Sequence, residues 1–505
     1  MGKTLIIAEK PSVAADIVKA LPGKFKKSKT HFEGESYIVS YAVGHLVSIG
    51  FPEEIDPKFQ KWTLDNLPIL PESFPLTVLP NTKTQYNALS KLIRRKEVDV
   101  IVNGCDAGRE GELIFKYILK HASTRSVAGK SIRRLWLQSM TLDSIRAGLQ
   151  NLRDNEEMLS LEAAALCRSE ADWLIGINAT RALTCYNSRH GGFRKTPCGR
   201  VQTPTLSLLV KREAERRAFV STDYWELHAD FLCQEASYQG IWIDPDFTKD
   251  PENPHAKQKR IWDEKQAAAI AEKCQGKEAR VEETHKNSKQ VPPQLYDLTS
   301  LQREANSRFG FSAKNTLSLA QALYERHKLI TYPRTDSRCL PEDYSNSVHE
   351  VLERQQDWQY GSFAKEALNK GYLQTNQKNK RLFNNKKISD HFAIIPTSGL
   401  PGTLSEPELK VYQMIVQRFL AILFPPAVFH NTRRLSVVEQ ETFLTEGKIL
   451  VEPGWKAVYG AKPGAGDANN TLVALSEGKP VLCKEIEQRK LATKPPARFS
   501  EATLL

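Results

Sequence analysis

Two apolar runs near the start of the chain are each followed by a polar turn and then by a helical apolar repeat. Lys3-Thr4-Leu5-Ile6-Ile7-Ala8 reads as a buried strand. Glu9-Lys10-Pro11-Ser12 follows, with Ser12 as the expected helix cap, and Val13, Ile17 and Leu21 then fall on one helical face. Val98-Asp99-Val100-Ile101-Val102 reads as a second buried strand. The polar turn Asn103 to Glu112 leads from it into a helix through Leu113, Ile114 and Ile118. Strand, turn and helix, twice over, predict an α/β domain with a largely parallel sheet. Ligands of such sheets gather beyond the carboxyl ends of the strands, where Glu9 and Asp106 both fall.

The pattern then changes. Residues 159–219 read as mostly helical, divided by the basic, glycine-rich stretch Ser188 to Lys195. From Tyr224 to about Glu283 short β runs appear, interrupted by a Pro/Asp/Lys-rich loop from Asp244 to Lys259. Residues 291–400 read as mixed helix and loop, with a mobile polar loop expected over Gln374 to Lys387. Strands return over Phe429 to Val458, for example in Leu435-Ser436-Val437-Val438. β material on both sides of 291–400 suggests one β domain entered twice, with the intervening region inserted into it.

Composition narrows the setting. A chain of 505 residues has material for several domains. Its formal charge of +12 favours a polyanionic partner, nucleic acid or an anionic membrane surface. The eight cysteines are scattered and form no CxxC pair, so a structural zinc site is not expected and the thiols are expected to be reduced. No secretory leader and no membrane span are expected. The expected setting is the cytoplasm of a cell whose DNA lies there.

One segment concentrates candidate chemistry. In Leu329-Ile330-Thr331-Tyr332-Pro333-Arg334-Thr335-Asp336-Ser337-Arg338 a tyrosine stands between an apolar run and basic and hydroxyl residues. Leu329 to Thr331 read as a short buried strand that Pro333 ends, and a residue before proline is pushed away from helix. A free phenol has a pKa of about 10, so roughly one in a thousand is ionised at neutral pH. A nearby guanidinium such as that of Arg334 favours the phenolate and neutralises a phosphoryl oxygen. On local chemistry alone, a core tyrosine followed by a capped turn remains the commoner arrangement. The acidic residues Glu9, Asp106 and Glu110 suit Mg²⁺, which takes few carboxylates and several waters. Helix-start carboxylates that bind nothing are equally compatible with that pattern.

The wording of these segments resembles a known family. ITYPRTDS, with the approach Ser312 to Glu325, resembles the active-site signature of type IA DNA topoisomerases and the helix before it in their topoisomerase III branch. Glu9 and the run Asp106 to Glu112 resemble the Toprim glutamate and acidic motif. That motif usually reads Asp-x-Asp-x-Glu, and here Gly108 stands where the second aspartate is expected. Asp390-His391-Phe392-Ala393-Ile394-Ile395-Pro396-Thr397 resembles the family's histidine motif, and Pro292 to Leu298 the entry to the tyrosine region.

The resemblance implies an N-terminal Toprim domain, with a Rossmann-like parallel sheet, in a multidomain α/β and α+β chain of toroidal type IA layout. It implies Toprim over 1–155, a helical single-strand-binding domain over 156–220 with 480–505, a β hinge domain over 221–290 with 401–479, and a tyrosine domain over 291–400. Tyr332 is implied as nucleophile, with Arg334, Lys10, Glu9 and His391 around the phosphate. Glu9, Asp106 and Glu110 are implied as Mg²⁺ ligands. Gly199-Arg200-Val201-Gln202-Thr203 with Pro197 and Cys198 resembles the single-strand-binding segment. Arg168, Asp172, Arg181, Arg194, Lys61 and Arg334 are implied as further DNA contacts.

The implied activity is ATP-independent. Tyr332 cuts one DNA strand to leave a 5′-phosphotyrosyl, another strand passes, and the 3′-hydroxyl reseals the break, which relaxes negative supercoils and separates catenated duplexes. The absence of a GxxxxGK[ST] run agrees with this. A helicase or single-strand-binding protein is an expected partner, the chain is expected to be monomeric, and its expected place is the bacterial nucleoid. Two other readings stay open: a DNA-binding remnant with Gly108 as a damaged site, and a Toprim nuclease or primase with no need of Tyr332. The ending Lys494 to Leu505 resembles the start of a longer family segment, so a truncated form, weak in relaxation, is expected in preference to a naturally short one.

Overall fold

The computed structural model describes residues 2–122, 127–233, 236–251, 253–464, 475 and 480–505. The end of the implied 401–479 span therefore lies partly outside the described residues. The chain divides into two compact units. One holds Met1–Leu208, Leu295–Glu350 and Gln377–Thr397; the other holds Leu209–Gln294, Val351–Asn376 and Ser398–Leu505.

In the first unit, β1 (Lys3–Ala8), β2 (Lys26–Lys27), β3 (His31–Glu33) and β4 (Tyr37–Tyr41) precede a separate antiparallel pair, β5 (Val47–Ile49) and β6 (Leu76–Val78). β7 (Val98–Gly104), β8 (Ser131–Arg134) and β9 (Arg153–Asp154) complete a seven-stranded sheet of order β2-β3-β4-β1-β7-β8-β9. The central pairs β4–β1, β1–β7 and β7–β8 are parallel. Such strands are covered on both faces, which is why their sequences are continuous apolar runs rather than alternating ones. Leu5, Ile7 and Ile101 face a core that includes the helices α2 (Lys83–Ile93) and α3 (Arg109–Ala122). Ile6 and Val102 face the opposite core, with α1 (Pro11–Ala20).

Ser12 does not cap α1. Pro11 occupies the first turn and Lys10 is the N-cap without a side-chain bond. Proline's fixed φ suits the first helical position, so the helix starts two residues earlier than the serine suggested.

The helix Leu159–Ser188 is tied to the sheet domain by Trp173, whose Nε1 donates to the Gly50 carbonyl at 2.8 Å. Thr180 and Thr184, one turn apart, accept from the backbone N–H of Cys198 and Thr196 at 2.9 and 3.0 Å. These bonds fold the returning segment back along the helix, after a turn in which Gly191 and Gly192 take positive φ. The helix Gln202–Ala218 follows.

The tyrosine region opens with two capped helices. Asp297 accepts from Ser300 N to start Leu298–Phe309, Gly310 ends it at φ 70°, and Ser312 accepts from Asn315 N to start Ala313–Glu325. Leu329 to Thr331 are buried or half-buried, but Ile330 makes only an isolated bridge to Pro396 rather than a strand. Residues 374–387 are not a free loop. Leu382 and Phe383 are buried, and Phe383 bridges to Leu340. Two adjacent apolar side chains anchor an otherwise polar stretch.

The second unit contains a closed barrel of order β10-β11-β14-β13-β12-β15. Its strands are β10 (Asp223–Cys233), β11 (Ala236–Ile243), β12 (Glu278–Gln290), β13 (Ala427–Val438), β14 (Glu441–Glu452) and β15 (Val481–Ala492). Leu227, Ala229, Phe231, Val438, Phe443, Cys483 and Ile486 meet in its core. β15 corrects the expectation that grouped 480–505 with the helical segment only for 481–492. Val481, Cys483 and Ile486 point inward, so this stretch closes the barrel against β10 and β12. Its charged residues crowd the outward positions and mask the alternation. Beyond it, Arg498 pairs with Glu213 at 2.7 Å and Arg212 donates to Ala497 O, so the last residues do lie along the helix Gln202–Ala218.

Candidate active site

The site starts from strand register. Ala8 pairs with Gly104 in parallel, so Glu9 and Asp106 emerge side by side at the carboxyl ends of β1 and β7. Glu9 Oε2 accepts from the Asp106 backbone N–H at 3.3 Å. Lys10 Nζ donates to Asp106 Oδ2 at 2.7 Å and stands 3.8 Å from Glu9 Oε1. His391 Nε2 reaches the same Asp106 oxygen at 3.0 Å. Burial and the neighbouring Asp106 charge push Glu9 up to about 7. Burial opposes ionisation of Asp106 too, but His391 and Lys10 outweigh it and hold that carboxyl far below the usual range. Near neutral pH the Glu9 carboxyl is therefore divided between its acid and carboxylate forms, while Asp106 is a carboxylate.

Tyr332 sits over this cluster. Lys10 Nζ lies 4.0 Å from its ring centroid, and the His391 and Tyr324 rings lie at 4.4 and 5.3 Å. The segment carrying Tyr332 is laced to the one carrying His391. Thr331 N donates to Ile395 O at 3.0 Å, Thr331 Oγ1 to Ala393 O at 2.9 Å, and Thr335 Oγ1 to His391 O at 2.8 Å. Burial raises the Tyr332 phenol above its ordinary value, and Lys10 and Arg334 offset this only in part. The expected net lowering by a guanidinium is thus reversed, because desolvation of the half-buried ring dominates. Arg334 is itself exposed, and the Gln321 amide oxygen accepts from its Nη2 and Nε at 2.9 and 3.2 Å.

Arg134 was not visible as a site residue. It is 1% exposed, and its Nε donates to Glu112 at 2.6 Å. Nη1 donates to the carbonyls of Asn103, Cys105 and Leu135, and Nη2 to that of Asp106. One guanidinium thereby holds the turn that presents Asp106. The available signal was an arginine directly before the apolar Leu135 at the end of a strand.

The implied DNA contacts separate into three kinds. Arg109, Arg168 and Arg200 line an open hollow of about 630 Å³ with Ala164, Cys167 and Ala171, a polar concavity suited to phosphate. Asp172 accepts from Arg200 Nε at 2.6 Å and so orients it. Lys61, Arg194, Pro197, Val201, Gln202 and Thr203 are exposed, Cys198 and Gly199 half-buried, and Thr203 Oγ1 accepts from Gly199 N at 3.1 Å. Arg181 does not belong with them. It is 4% exposed, donates to Phe59 O and Glu53, and lies against Trp62. Its neighbours Thr180 and Ala182 are half-buried, and its guanidinium is spent on fixing the segment from Glu53 to Trp62.

The acidic set differs from the implied one. Glu110 is half-exposed and lies 3.2 Å from His45 and 3.9 Å from Arg168. Among the described residues no three His, Cys, Asp or Glu side chains stand close enough to hold a metal ion together. Glu9 and Asp106 by themselves suit Mg²⁺, a hard cation that keeps several waters and takes one or two carboxylates. Glu9 and Asp106 stand side by side at the strand ends, and a dication would neutralise the charge they concentrate there.

A family model described as "DNA topoisomerase" matches residues 156–505, and one described as "Toprim domain" matches residues 4–139. The chain is 40% identical over 513 residues to DNA topoisomerase 3 of Bacillus subtilis, which covers 100% of this chain and 67% of that protein. It is 39% identical over 514 residues to DNA topoisomerase 3 of Bacillus cereus, with the same shares covered. Full-length topoisomerase I of Thermotoga maritima has the same fold, with TM-score 0.62 and 22% identity over 99% of this chain and 74% of that one. The chain belongs to the type IA DNA topoisomerase family. Within it, the similarity runs to the topoisomerase 3 enzymes of bacilli along the whole of this chain. Among the described residues no helix is long and apolar enough to cross a membrane.

Proposed function

We propose that Tyr332 is the nucleophile that cuts one DNA strand and holds it as a 5′-phosphotyrosyl. The observation that carries this is the Tyr332 ring between Lys10 and His391, directly over the Glu9–Asp106 pair. In the first step Tyr332 Oη bonds to phosphorus, and the bond from phosphorus to the 3′ oxygen breaks. Because the phenol is held protonated, a base must take its proton as the bond forms. Deprotonated Glu9 is poised for that near neutral pH, since a base is most effective with a pKa close to the working pH. Lys10 and Arg334 neutralise the phosphoryl oxygens, and His391 bonds the phosphate while Asp106 orients its ring. The departing 3′ oxygen takes up a proton from Lys10 or Glu9, and resealing reverses each step.

Mg²⁺ held by Glu9 and Asp106 would supply further neutralisation of phosphate charge. Arg168 and Arg200 would hold the strand without reading its bases. The domain limits implied by the sequence apply, with β15 moved to the β domain. The substrates are single-stranded regions of negatively supercoiled or catenated DNA, with a helicase or single-strand-binding protein as partner. The enzyme works as a monomer in the nucleoid. A nuclease or primase would leave Tyr332 without a task.

The test is detergent trapping on single-stranded DNA with Mg²⁺. The native chain is expected to give a covalent adduct, and Tyr332→Phe none, with strand binding held within a few fold. Adduct formation by the phenylalanine variant would overturn the assignment.

A further inference from the structure

Another strand can pass through the break only if the two cut ends move apart. One end is covalently on Tyr332, and the 3′ oxygen is left beside Lys10 and Glu9. Tyr332 belongs to the segments Leu295–Glu350 and Gln377–Thr397 of the first unit, whereas Lys10 and Glu9 belong to Met1–Leu208. Both tyrosine-bearing segments are joined at each end to the second unit, so no peptide link runs directly between them and the sheet domain. Side-chain contacts hold the two parts together, and separation must break them.

The contacts around Tyr332 are one such set, and Asp343 makes another. Its Oδ2 accepts from Ser139 Oγ at 3.0 Å, Thr141 Oγ1 at 2.9 Å and Ser144 Oγ at 2.8 Å. A hydroxyl has one proton to give and lone pairs that accept. Here the turn occupies the accepting side of two of them. Ser139 Oγ accepts from Thr141 N at 3.4 Å, and Thr141 Oγ1, the N-cap of the helix Leu142–Gln150, accepts from Ser144 N at 3.3 Å. Their protons are thereby directed to the carboxylate. Bonds to an ionised acceptor are about twice as strong as neutral ones. Gln138 adds a bond across the same boundary, from Nε2 to Ile388 O at 2.7 Å. Ser139 is buried, but Asp343 is exposed. A buried carboxylate would be costly to pull from its donors, whereas an exposed one is rehydrated as it leaves. The contact is therefore firm when made and cheap to release.

We propose that Asp343 and the hydroxyls of Ser139, Thr141 and Ser144 form a reversible clasp that holds the tyrosine-bearing segments closed on the sheet domain and sets how often the cut strand opens. The proposal rests on the reading above that Tyr332 carries one end of the break. Asp343 is a positioning residue. It takes no part in the attack on phosphorus, and acts on separation and on the return that resealing requires.

The test is single-molecule energy transfer on the full chain, cutting single-stranded DNA, with dyes attached through unnatural amino acids at the exposed positions Lys91 and Ser307. Detergent trapping gives the rate of adduct formation in parallel. Asp343→Ala is expected to raise the ratio of open to closed molecules about tenfold, the lower end of the scale for a hydrogen bond to a charged group. Its rate of adduct formation is expected to stay within about twofold of the native rate. Ser144→Ala is expected to raise the ratio less, and Asp343→Ala/Ser144→Ala no further than Asp343→Ala, because the two side chains act through one contact. An unchanged ratio in Asp343→Ala, or full additivity in the double variant, would overturn the clasp. So would adduct formation that falls as far as the ratio rises, since Asp343 would then belong to the cutting site. If the native chain forms no adduct, the Tyr332 reading fails and the role in strand opening fails with it. If it forms adduct normally and the ratio does not move, the clasp alone fails.

Discussion

Replacing Arg134 by Met removes the guanidinium that props the Asp106 turn while keeping most of its volume. Glu112, 5% exposed, loses its charge partner at 2.6 Å and keeps only Asn103 Nδ2 at 3.1 Å. Breaking a buried ion pair by removing one partner costs about 3–5 kcal/mol. Four carbonyls also lose a charged donor, but that of Asn103 keeps the Leu135 N–H at 2.9 Å, so these bonds are not summed. We therefore expect about 3–5 kcal/mol of local destabilisation, centred on the turn rather than on the barrel. Amide hydrogen exchange over residues 103–106 is the assay, because a multidomain chain lacks one well-defined unfolding energy. Protection there should fall by about a hundredfold to several thousandfold, since 1.4 kcal/mol is a factor of ten.

The cost has a pH signature. Burial already raises the Glu112 carboxyl above its ordinary value, with Arg134 pulling it down. Without Arg134 it rises further, so the folded variant binds an extra proton. Its stability is then greatest at low pH and falls as pH rises through the raised pKa. Arg134→Met/Glu112→Leu should regain much of the loss, since no buried charge is left unpaired. A loss under about 1 kcal/mol, or one that does not change with pH, would refute the reasoning.

The Glu9 carboxyl, raised from 4.5 to about 7, predicts that cleavage of single-stranded DNA without Mg²⁺ climbs with pH through that value as the base is freed, and Glu9→Gln should abolish the limb. The same shift favours the folded state only while Glu9 is protonated; that contribution is full below 4.5 and lost as pH rises through about 7. Glu9→Gln should consequently melt above the native chain at pH 8, and a lower melting point would contradict the assignment. Gln321→Ala should slow adduct formation about tenfold by freeing Arg334, with little added loss in Gln321→Ala/Arg334→Ala; full additivity would mean that the two act separately. Chelation should stop relaxation of supercoiled DNA and Mg²⁺ should restore it, and relaxation that survives chelator would make the acidic pair purely structural.

The apolar runs Leu5-Ile6-Ile7 and Val100-Ile101-Val102 were enough to specify two buried parallel strands, because only a sheet covered on both faces is apolar at consecutive positions. That placed Glu9 and Asp106 at neighbouring strand ends. The wording around Tyr332 and Asp390-His391 identified the family, yet it could not say that His391 and Lys10 share one Asp106 oxygen. That contact depends on segments far apart in the chain coming together. Arg181 and Arg200 read alike as basic residues near one segment, and burial alone separates a strut from a surface cation. β15 stayed hidden because a barrel strand shows its alternation only once its partners define inside and outside. The tyrosine's pKa went the other way from the local expectation, since desolvation belongs to the folded surroundings and not to the nearest arginine. Gly108 is the sharpest case. In the sequence it is a missing aspartate, and in the fold the Asp390 carboxyl reaches the space that a side chain there would enter, a proximity between residues hundreds of positions apart that exists only in three dimensions.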